Sequence, residues 1–160
     1  MAECQLPKKW KKLVTRVRFP HGAFTIMIRW LERHDKISWT ICLVIAITIF
    51  YVSSLAFEPG GKGALSYRPI AYHILIFFLL EFFLLISILK GKNGNLKLAL
   101  IGIVVAVLYG ILDEIHQYFV PGRAVSVDDL ALDSLGIMLA FIIYMINLEY
   151  NLLRSRKSLL

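Results

Sequence analysis

Apolar residues are concentrated in four long runs along this chain, separated by short polar or basic segments. The runs cover residues 37–57, 69–89, 98–118 and 129–148. Each has about the twenty residues that a helix needs to cross the hydrocarbon core of a bilayer. The pattern therefore predicts an all-α, polytopic membrane protein with four transmembrane helices within residues 37–148.

The residues before the first run have a different, amphipathic pattern. Trp10, Leu13 and Val17 recur at helical spacing among lysines and arginines. Because the apolar stripe needs a partner, a membrane surface rich in anionic lipid explains both faces better than a nucleic acid does. We expect residues 1–36 to form an interfacial helical arm that binds anionic lipid, and residues 149–160 to form a basic cytoplasmic tail.

Composition supports the membrane class and narrows the chemistry. Hydrophobic residues make up 58% of the chain, more than in ordinary soluble domains, so a soluble helical protein is the disfavoured alternative. Cys4 lies in the basic arm and Cys42 in an apolar run, a placement that favours neither a disulfide nor a zinc site. The first run begins too late and is too long for a cleavable signal peptide.

Lysines and arginines are distributed unevenly among the segments that flank the runs. Fifteen of the 18 lie in the N-terminal arm, in the loop between the second and third runs, or in the tail. Positively charged segments are retained on the cytoplasmic side of a membrane. Both termini are therefore predicted to be cytoplasmic, and the turn between the third and fourth runs extracytoplasmic.

Polar residues gather on both sides of a Pro-Gly-Arg turn between the last two runs. Such groups are costly in hydrocarbon and are expected to face one another or a wet cavity. On helical wheels, Asp113 and Gln117 share an arc with small residues, and Asp133 shares a stripe with Gly136. Small residues allow membrane helices to approach closely. The pattern predicts an antiparallel helix pair with a polar site near its turn. Glu81, in the middle of the second run, is equally costly but has no assigned role.

Depth in the membrane points to the same site. With a rise of ~1.5 Å per residue, Asp113 lies roughly 9 Å below Phe119, and Asp133 roughly 6 Å below Asp129. His73, one turn into the second helix, lies at a similar depth. We expect these groups to form one site in the outer leaflet.

The residue types at this site suggest three kinds of chemistry. Candidate catalytic residues, which can transfer protons or act as bases, are Asp113, Glu114, His116 and Asp133. Candidate substrate-binding residues, with Arg123 suited to gripping a phosphate, are His73, Gln117, Arg123 and Asp129. The cofactor is unknown, although a hard divalent cation would suit the oxygen ligands of Asp113, Asp129 and Asp133. A purely structural role for Asp113 and Asp133, hydrogen bonding across the helix pair, is the alternative.

The start of the fourth helix also has a recognisable signal. Ser126 is followed three residues later by Asp129, a spacing that resembles a capping box and predicts a helix beginning near Val127. Asp128 is interpreted as complementing the helix dipole.

The residues around the turn resemble the signature of the VanZ-like membrane proteins. That signature comprises, in this chain, Asp113, Glu114, Gln117, Phe119, Val120, Pro121, Gly122, Arg123, Asp129, Asp133 and Gly136. His73 is a candidate equivalent in the second helix, and Asp133 is a departure, since Asn is commoner there. The resemblance implies a small multi-pass cell-envelope protein linked to resistance against glycopeptides of the teicoplanin type.

Three functions from different classes fit these features. The first is an enzyme that cleaves or exchanges a phosphate ester, a hydrolase or transferase acting on lipid head groups or lipid-linked envelope precursors. The second is a non-catalytic lipid-binding or envelope-remodelling protein. The third is a small proton-coupled transporter, which ranks last because four spans without an inverted repeat offer few surfaces for alternating access. Membrane lipids are the expected partners, nucleic acid is not, and the oligomeric state is left open.

Overall fold

The described part of the chain is entirely helical. A computed structural model describes residues 23–55, 67–90, 95–123 and 125–157. It contains α1 (Ala23–Arg33), α2 (Asp35–Ser53), α3 (Tyr67–Leu89), α4 (Leu96–Tyr118) and α5 (Val127–Lys157). The predicted all-α class is confirmed. Most of the predicted N-terminal arm, residues 1–22, lies outside the described residues.

Four of these helices are long and apolar enough to cross a membrane. The spans are Asp35–Ser53, Ile70–Leu89, Leu96–Tyr118 and Val127–Asn151, in agreement with the predicted multi-pass architecture. The last helix extends to Lys157, so most of the predicted tail continues α5. Residues 149–157 contain neither glycine nor proline, and nothing in their sequence stops a helix.

The second span, α3, is the centre of the bundle. It packs against each of the other four helices. Leu85, Ile86 and Leu89 are fully buried, as is Phe77 nearer its N-terminus. A helix that is apolar all round is typical of a buried helix or a membrane span, and α3 has this composition.

Glycines mark the closest helix approaches, and the partner of Gly136 differs from the prediction. A Cβ at Gly136 would overlap the backbone of α3 at Ile74 and Phe78, whereas a Cβ at Gly110 would touch Asp133 and Leu130 of α5. The small-residue stripe of α5 therefore contacts α3 at Gly136 and α4 at Asp133. The predicted helix pair does meet, and α3 is a third helix of the same contact.

The helix ends assemble into two distinct ends of the bundle. The C-termini of α2 and α4 meet the N-termini of α3 and α5, as the bonds of Ser53 with Asp113 and of His73 with Asp133 show. We call this the polar end. At the opposite end, Lys90 at the end of α3 forms an ion pair with Asp35 at the start of α2.

The short helix α1 docks at this opposite end. Its buried Ile28 and Leu31 belong to the same core cluster as Tyr144. Tyr144 also donates a hydrogen bond to Glu32 Oε1 at 3.0 Å. Burial is the largest influence on Glu32 and raises the pKa of its carboxyl above the ordinary 4.5, partly offset by Tyr144 and Arg29.

Candidate functional site

A histidine–aspartate pair joins α3 and α5 at the polar end. His73 Nδ1 lies 2.8 Å from Asp133 Oδ1, a hydrogen bond that the imidazole donates to the carboxylate. In the neutral imidazole this leaves Nε2 as the basic nitrogen. Nε2 lies 3.9 Å from Asp129 Oδ2. The predicted convergence of His73 with Asp133 is confirmed, and Asp133 is almost fully buried, with 1% of its surface exposed.

A second buried carboxylate joins α4 to α2. Asp113 accepts a hydrogen bond from Ser53 Oγ at 2.5 Å and another from Gln117 Nε2 at 2.8 Å. Gln117 stands one turn further along the same helix face, as the wheel predicted. Each oxygen of Asp113 thus has a donor, which makes this carboxylate a link between two helices.

Glu114 reaches across the turn to the start of α5. Its Oε2 accepts a hydrogen bond from the backbone N–H of Ser126 at 2.9 Å. The Ser126 hydroxyl in turn accepts from the N–H of Asp129 at 3.3 Å. The predicted cap at Ser126 is therefore present, but the reciprocal bond comes from Glu114 of the preceding helix and not from Asp129.

The turn itself has the geometry that its proline and glycine favour. The N–H of Arg123 donates to the carbonyl of Val120 at 3.2 Å, and Gly122 has φ 80°. A proline followed by a glycine with positive φ is the pattern of a type II turn. This tight turn carries the chain from α4 towards α5 and sets Arg123 against the end of α2.

Arg123 contacts the carbonyl groups that end α2. Its Nη2 donates to the carbonyl oxygen of Val52 at 2.6 Å, and its Nε to that of Leu55 at 3.3 Å. These carbonyls belong to the last turn of α2 and the residues just after it, where a cation also complements the helix dipole. Arg123 thereby holds α2 to the turn, a contact that sequence analysis did not anticipate.

His116 contacts α2, whereas Glu114 reaches across the turn to the start of α5. The Ser54 hydroxyl donates to the Phe50 carbonyl at 2.7 Å, so it accepts from His116 Nε2 at 2.9 Å. The imidazole also packs against Phe50 in a tilted arrangement, with ring centroids 4.5 Å apart. The partners of His116 are thus on α2, whereas those of His73 are on α5.

Sequence analysis missed two polar residues of the site. Tyr72 stands edge-on to the ring of His73, and Asp113 and Asp133 are among its charged neighbours. Ser53 donates to the Ile49 carbonyl of its own helix at 2.9 Å, but its shorter contact is to Asp113 of α4. Tyr72 directly precedes the candidate residue His73, and this proximity could have indicated it. No feature of the sequence around Ser53 indicated its contact with α4.

Several buried oxygens at or near the site have no hydrogen-bond partner among the described residues. At the polar end these are Glu114 Oε1, Asp133 Oδ2 and the Tyr72 hydroxyl. Deeper in the bundle, both carboxyl oxygens of Glu81 also lack a hydrogen-bond partner among the described residues. Buried polar groups usually have partners, so these atoms mark the positions where a bound polar group would gain hydrogen bonds.

An apolar groove runs along the outside of the polar end, between α4 and the start of α5. It has a volume of about 400 Å³ and is lined by Ile111, Glu114, Ile115, Tyr118, Phe119, Val125 and Leu130. Glu114 thus belongs both to the groove and to the buried polar cluster. A hydrocarbon chain is the kind of group that such a wall would accept.

The predicted metal ligands do not form one coordination set. Asp113 bonds to Ser53 and Gln117, whereas Asp133 bonds to His73. Within residues 23–55, 67–90, 95–123 and 125–157, no group of three or more His, Cys, Asp or Glu side chains is arranged to hold a metal ion.

Together, the fold and the site define a class: a multi-pass helical membrane protein with a buried, largely acidic cluster at one end of its bundle. The sequence profile of the VanZ/LLP1 family matches residues 15–148, which include the first three spans, the turn and most of the fourth span. The chain belongs to this family. No curated protein and no solved structure matches it.

Proposed function

We propose that this VanZ/LLP1-family protein binds lipid head groups, or the head groups of lipid-linked envelope precursors, at the polar end. The observation that carries the proposal is the convergence of His73, Asp113, Glu114 and Asp133 beside an apolar groove. A lipid has both parts that such a site would bind, a polar head and a hydrocarbon chain. The distribution of lysine and arginine supports placing this end in the extracytoplasmic leaflet of the cell membrane.

The His73–Asp133 hydrogen bond favours a second candidate function, the hydrolysis or transfer of a head-group phosphoester. A carboxylate that holds an imidazole in one tautomer is a recurrent arrangement for general bases. In that mechanism Asp133 orients His73, and Nε2 takes the proton of an attacking water or hydroxyl as its oxygen bonds to phosphorus. The P–O bond of the ester breaks, and the leaving alcohol oxygen takes the proton back from His73. The negative charge of Asp113 and Glu114 opposes a phosphate, which places this function second.

The link to glycopeptide antibiotics follows from the family resemblance. Binding lipids or lipid-linked precursors at the outer face would change how an antibiotic of the teicoplanin type reaches its target. The proposal therefore expects expression of the chain to lower the teicoplanin susceptibility of a host cell.

The basic arm is the second lipid contact that we propose. The outward face of α1 exposes Ile26, Met27 and Trp30 next to Arg29 and Arg33. Apolar and cationic side chains on one exposed face suit a helix at an anionic membrane surface. This supports the expected binding of anionic lipid.

Lipid retention tests the proposed function. The protein is extracted, washed in detergent and analysed by native mass spectrometry for bound lipid. His73→Asn combined with Asp133→Asn preserves hydrogen-bonding groups between α3 and α5 but removes both ionisable groups. We expect wild type to retain lipid and the double variant to retain it about tenfold less, the effect of losing one charge-assisted hydrogen bond.

The control variant is Leu108→Ala. It removes an exposed side chain in the middle of α4, and lipid retention should be unchanged. Equal retention by wild type and the double variant would contradict binding at the polar end. A head group that is chemically altered by wild type but not by His73→Asn would add the enzyme activity to the binding.

A further inference from the structure

Among the described side chains, the polar end contains more acidic than basic groups. Four carboxylates meet there, from Asp113, Glu114, Asp129 and Asp133, and His73 is the imidazole that bonds to one of them, whereas the imidazole of His116 bonds to Ser54. The guanidinium of Arg123 contributes positive charge, but it bonds to carbonyl groups of α2. In a low-dielectric environment this imbalance favours a bound cation over a bound anion.

Glu114 is a member of the cluster with one carboxylate oxygen that lacks a hydrogen-bond donor among the described residues. Only 5% of its surface is exposed, and Oε1 has no hydrogen-bond partner among the described residues. Its charged neighbours include Asp113, Asp129 and Asp133, each of which repels a second negative charge. A buried carboxylate oxygen in this position would be satisfied by a proton or by the N–H groups of a cation.

The groove beside Glu114 suggests where the rest of such a ligand lies. Ile111, Ile115, Phe119 and Leu130 give it apolar walls, and Glu114, with 5% of its surface exposed, is the acidic residue of its lining. A ligand with a hydrocarbon chain and an ammonium group would place the chain along these walls and the ammonium against Glu114. A cation without a hydrocarbon chain would make no use of the apolar walls of the groove.

The geometry points to a primary ammonium lipid, of the phosphatidylethanolamine type, as the ligand of Glu114 and the groove. This inference rests on the proposed function and specifies the head group that the site selects. Asp133, whose Oδ2 also has no partner among the described residues, adds attraction for the same ammonium group. A phosphatidylglycerol head group lacks the cation and would meet only negative charge.

Lipids with matched acyl chains provide the test. Wild type is incorporated into vesicles that contain equal amounts of phosphatidylethanolamine, phosphatidylcholine and phosphatidylglycerol, then extracted, and its retained lipids are identified by native mass spectrometry. Phosphatidylcholine has a cationic head without an N–H donor. We expect phosphatidylethanolamine to be retained about tenfold over phosphatidylglycerol, with phosphatidylcholine between them.

Two variants assign the preference to Glu114. Glu114→Gln still accepts from the N–H of Ser126 but carries no charge, and it should lose the preference for phosphatidylethanolamine. Asp128→Asn removes an exposed negative charge from the same end of the bundle and should keep the preference. Melting temperatures measured alongside show whether each variant is folded.

The lipid-retention results test the ammonium inference and the proposed lipid binding separately. Equal retention of the three lipids by wild type would overturn the ammonium inference while leaving lipid binding in place. Retention of none of them would overturn both. A preference that survives in Glu114→Gln would show that a proton alone satisfies Glu114, and the assignment of this residue would be wrong.

Discussion

At the scale of single residues, Glu114 shows how the two sides of the turn are held together. A capping box is normally closed by the glutamate or glutamine three residues after the cap. Here that position is Asp129, whose side chain is one methylene shorter, and Glu114 supplies the acceptor for the Ser126 N–H from across the turn. Ser126 therefore ties the start of α5 to the end of α4.

The sequence predicted which polar residues share a face, but not every partner. The positions of Asp113 and Gln117 follow from helical spacing, and the structure bonds them to each other. The contacts of Ser53 with Asp113 and of Arg123 with Val52 depend on how α2 packs against α4. Spacing within one helix contains no information about that rotation.

Glu81 provides a test at the residue scale. It is fully buried in α3, and neither oxygen has a partner among the described residues. Glu81→Leu fills a similar volume without a polar group, so it should raise the free energy of unfolding by about 1–3 kcal/mol. Glu81→Gln, which keeps a buried polar group, should give no such gain. Thermal unfolding in detergent measures both. A lower stability of Glu81→Leu would mean that the carboxyl has a stabilising ligand.

At the scale of helices, the central position of α3 explains why it joins the predicted contact between α4 and α5. Its sequence is apolar on all sides and therefore does not indicate which neighbour contacts which face. Gly136 of α5 and Gly102 of α4 both approach α3, whereas Gly110 of α4 also approaches α5. Hydropathy identifies the spans, whereas the pairing of their faces depends on side-chain packing across the whole bundle.

The same substitution at two glycines, Gly136→Ala and Gly110→Ala, tests this helix packing. At Gly136 an added Cβ would overlap backbone atoms of α3, which cannot move aside cheaply, whereas at Gly110 the nearest atoms are 3.4 Å away. Gly136→Ala should therefore lower the free energy of unfolding by about 2 kcal/mol, despite the helix propensity of alanine. Gly110→Ala should leave it unchanged or slightly higher. Equal effects on thermal unfolding would contradict the contact between Gly136 and α3.

The docking of α1 should depend on pH through Glu32. Because burial raises its pKa above the ordinary 4.5, the folded protein keeps this proton at pH values where the unfolded chain has released it. The free energy of unfolding should therefore fall as pH rises from about 4.5 through the raised pKa. Glu32→Gln should remove this slope. Thermal unfolding of both proteins across this range provides the measurement, and a constant difference between them would argue against a buried Glu32.

At the scale of the whole molecule, the bundle has a polar end and a basic end. The acidic cluster occupies the former, while α1, Lys90 and the C-terminal part of α5 lie towards the latter. The sequence predicted the four spans and this charge asymmetry, because both depend on composition. It could not predict the groove, which forms only where α4 and the turn meet the start of α5.

Orientation in the membrane is a prediction for the whole chain. A reporter fused after Leu160 should be cytoplasmic, and one inserted at Gly61 should be exported, because most lysines and arginines lie in the segments predicted to stay inside. Protease protection in intact cells measures both positions. Finding the reporter at Gly61 in the cytoplasm would reverse the orientation and place the polar end in the inner leaflet.

The most direct test of the lipid site maps where a lipid binds. A phospholipid with a photoactivatable group on the acyl carbon nearest its head group is added to the membrane-embedded protein, and labelled residues are identified by mass spectrometry. Ile115 in the groove and Leu108 in the middle of α4 are equally exposed, at 52% and 53%, so random contact with lipid would label both alike. A site at the polar end predicts labelling concentrated at Ile115 and Phe119, several-fold above Leu108. Even labelling along α4 would contradict a lipid head-group site in this protein.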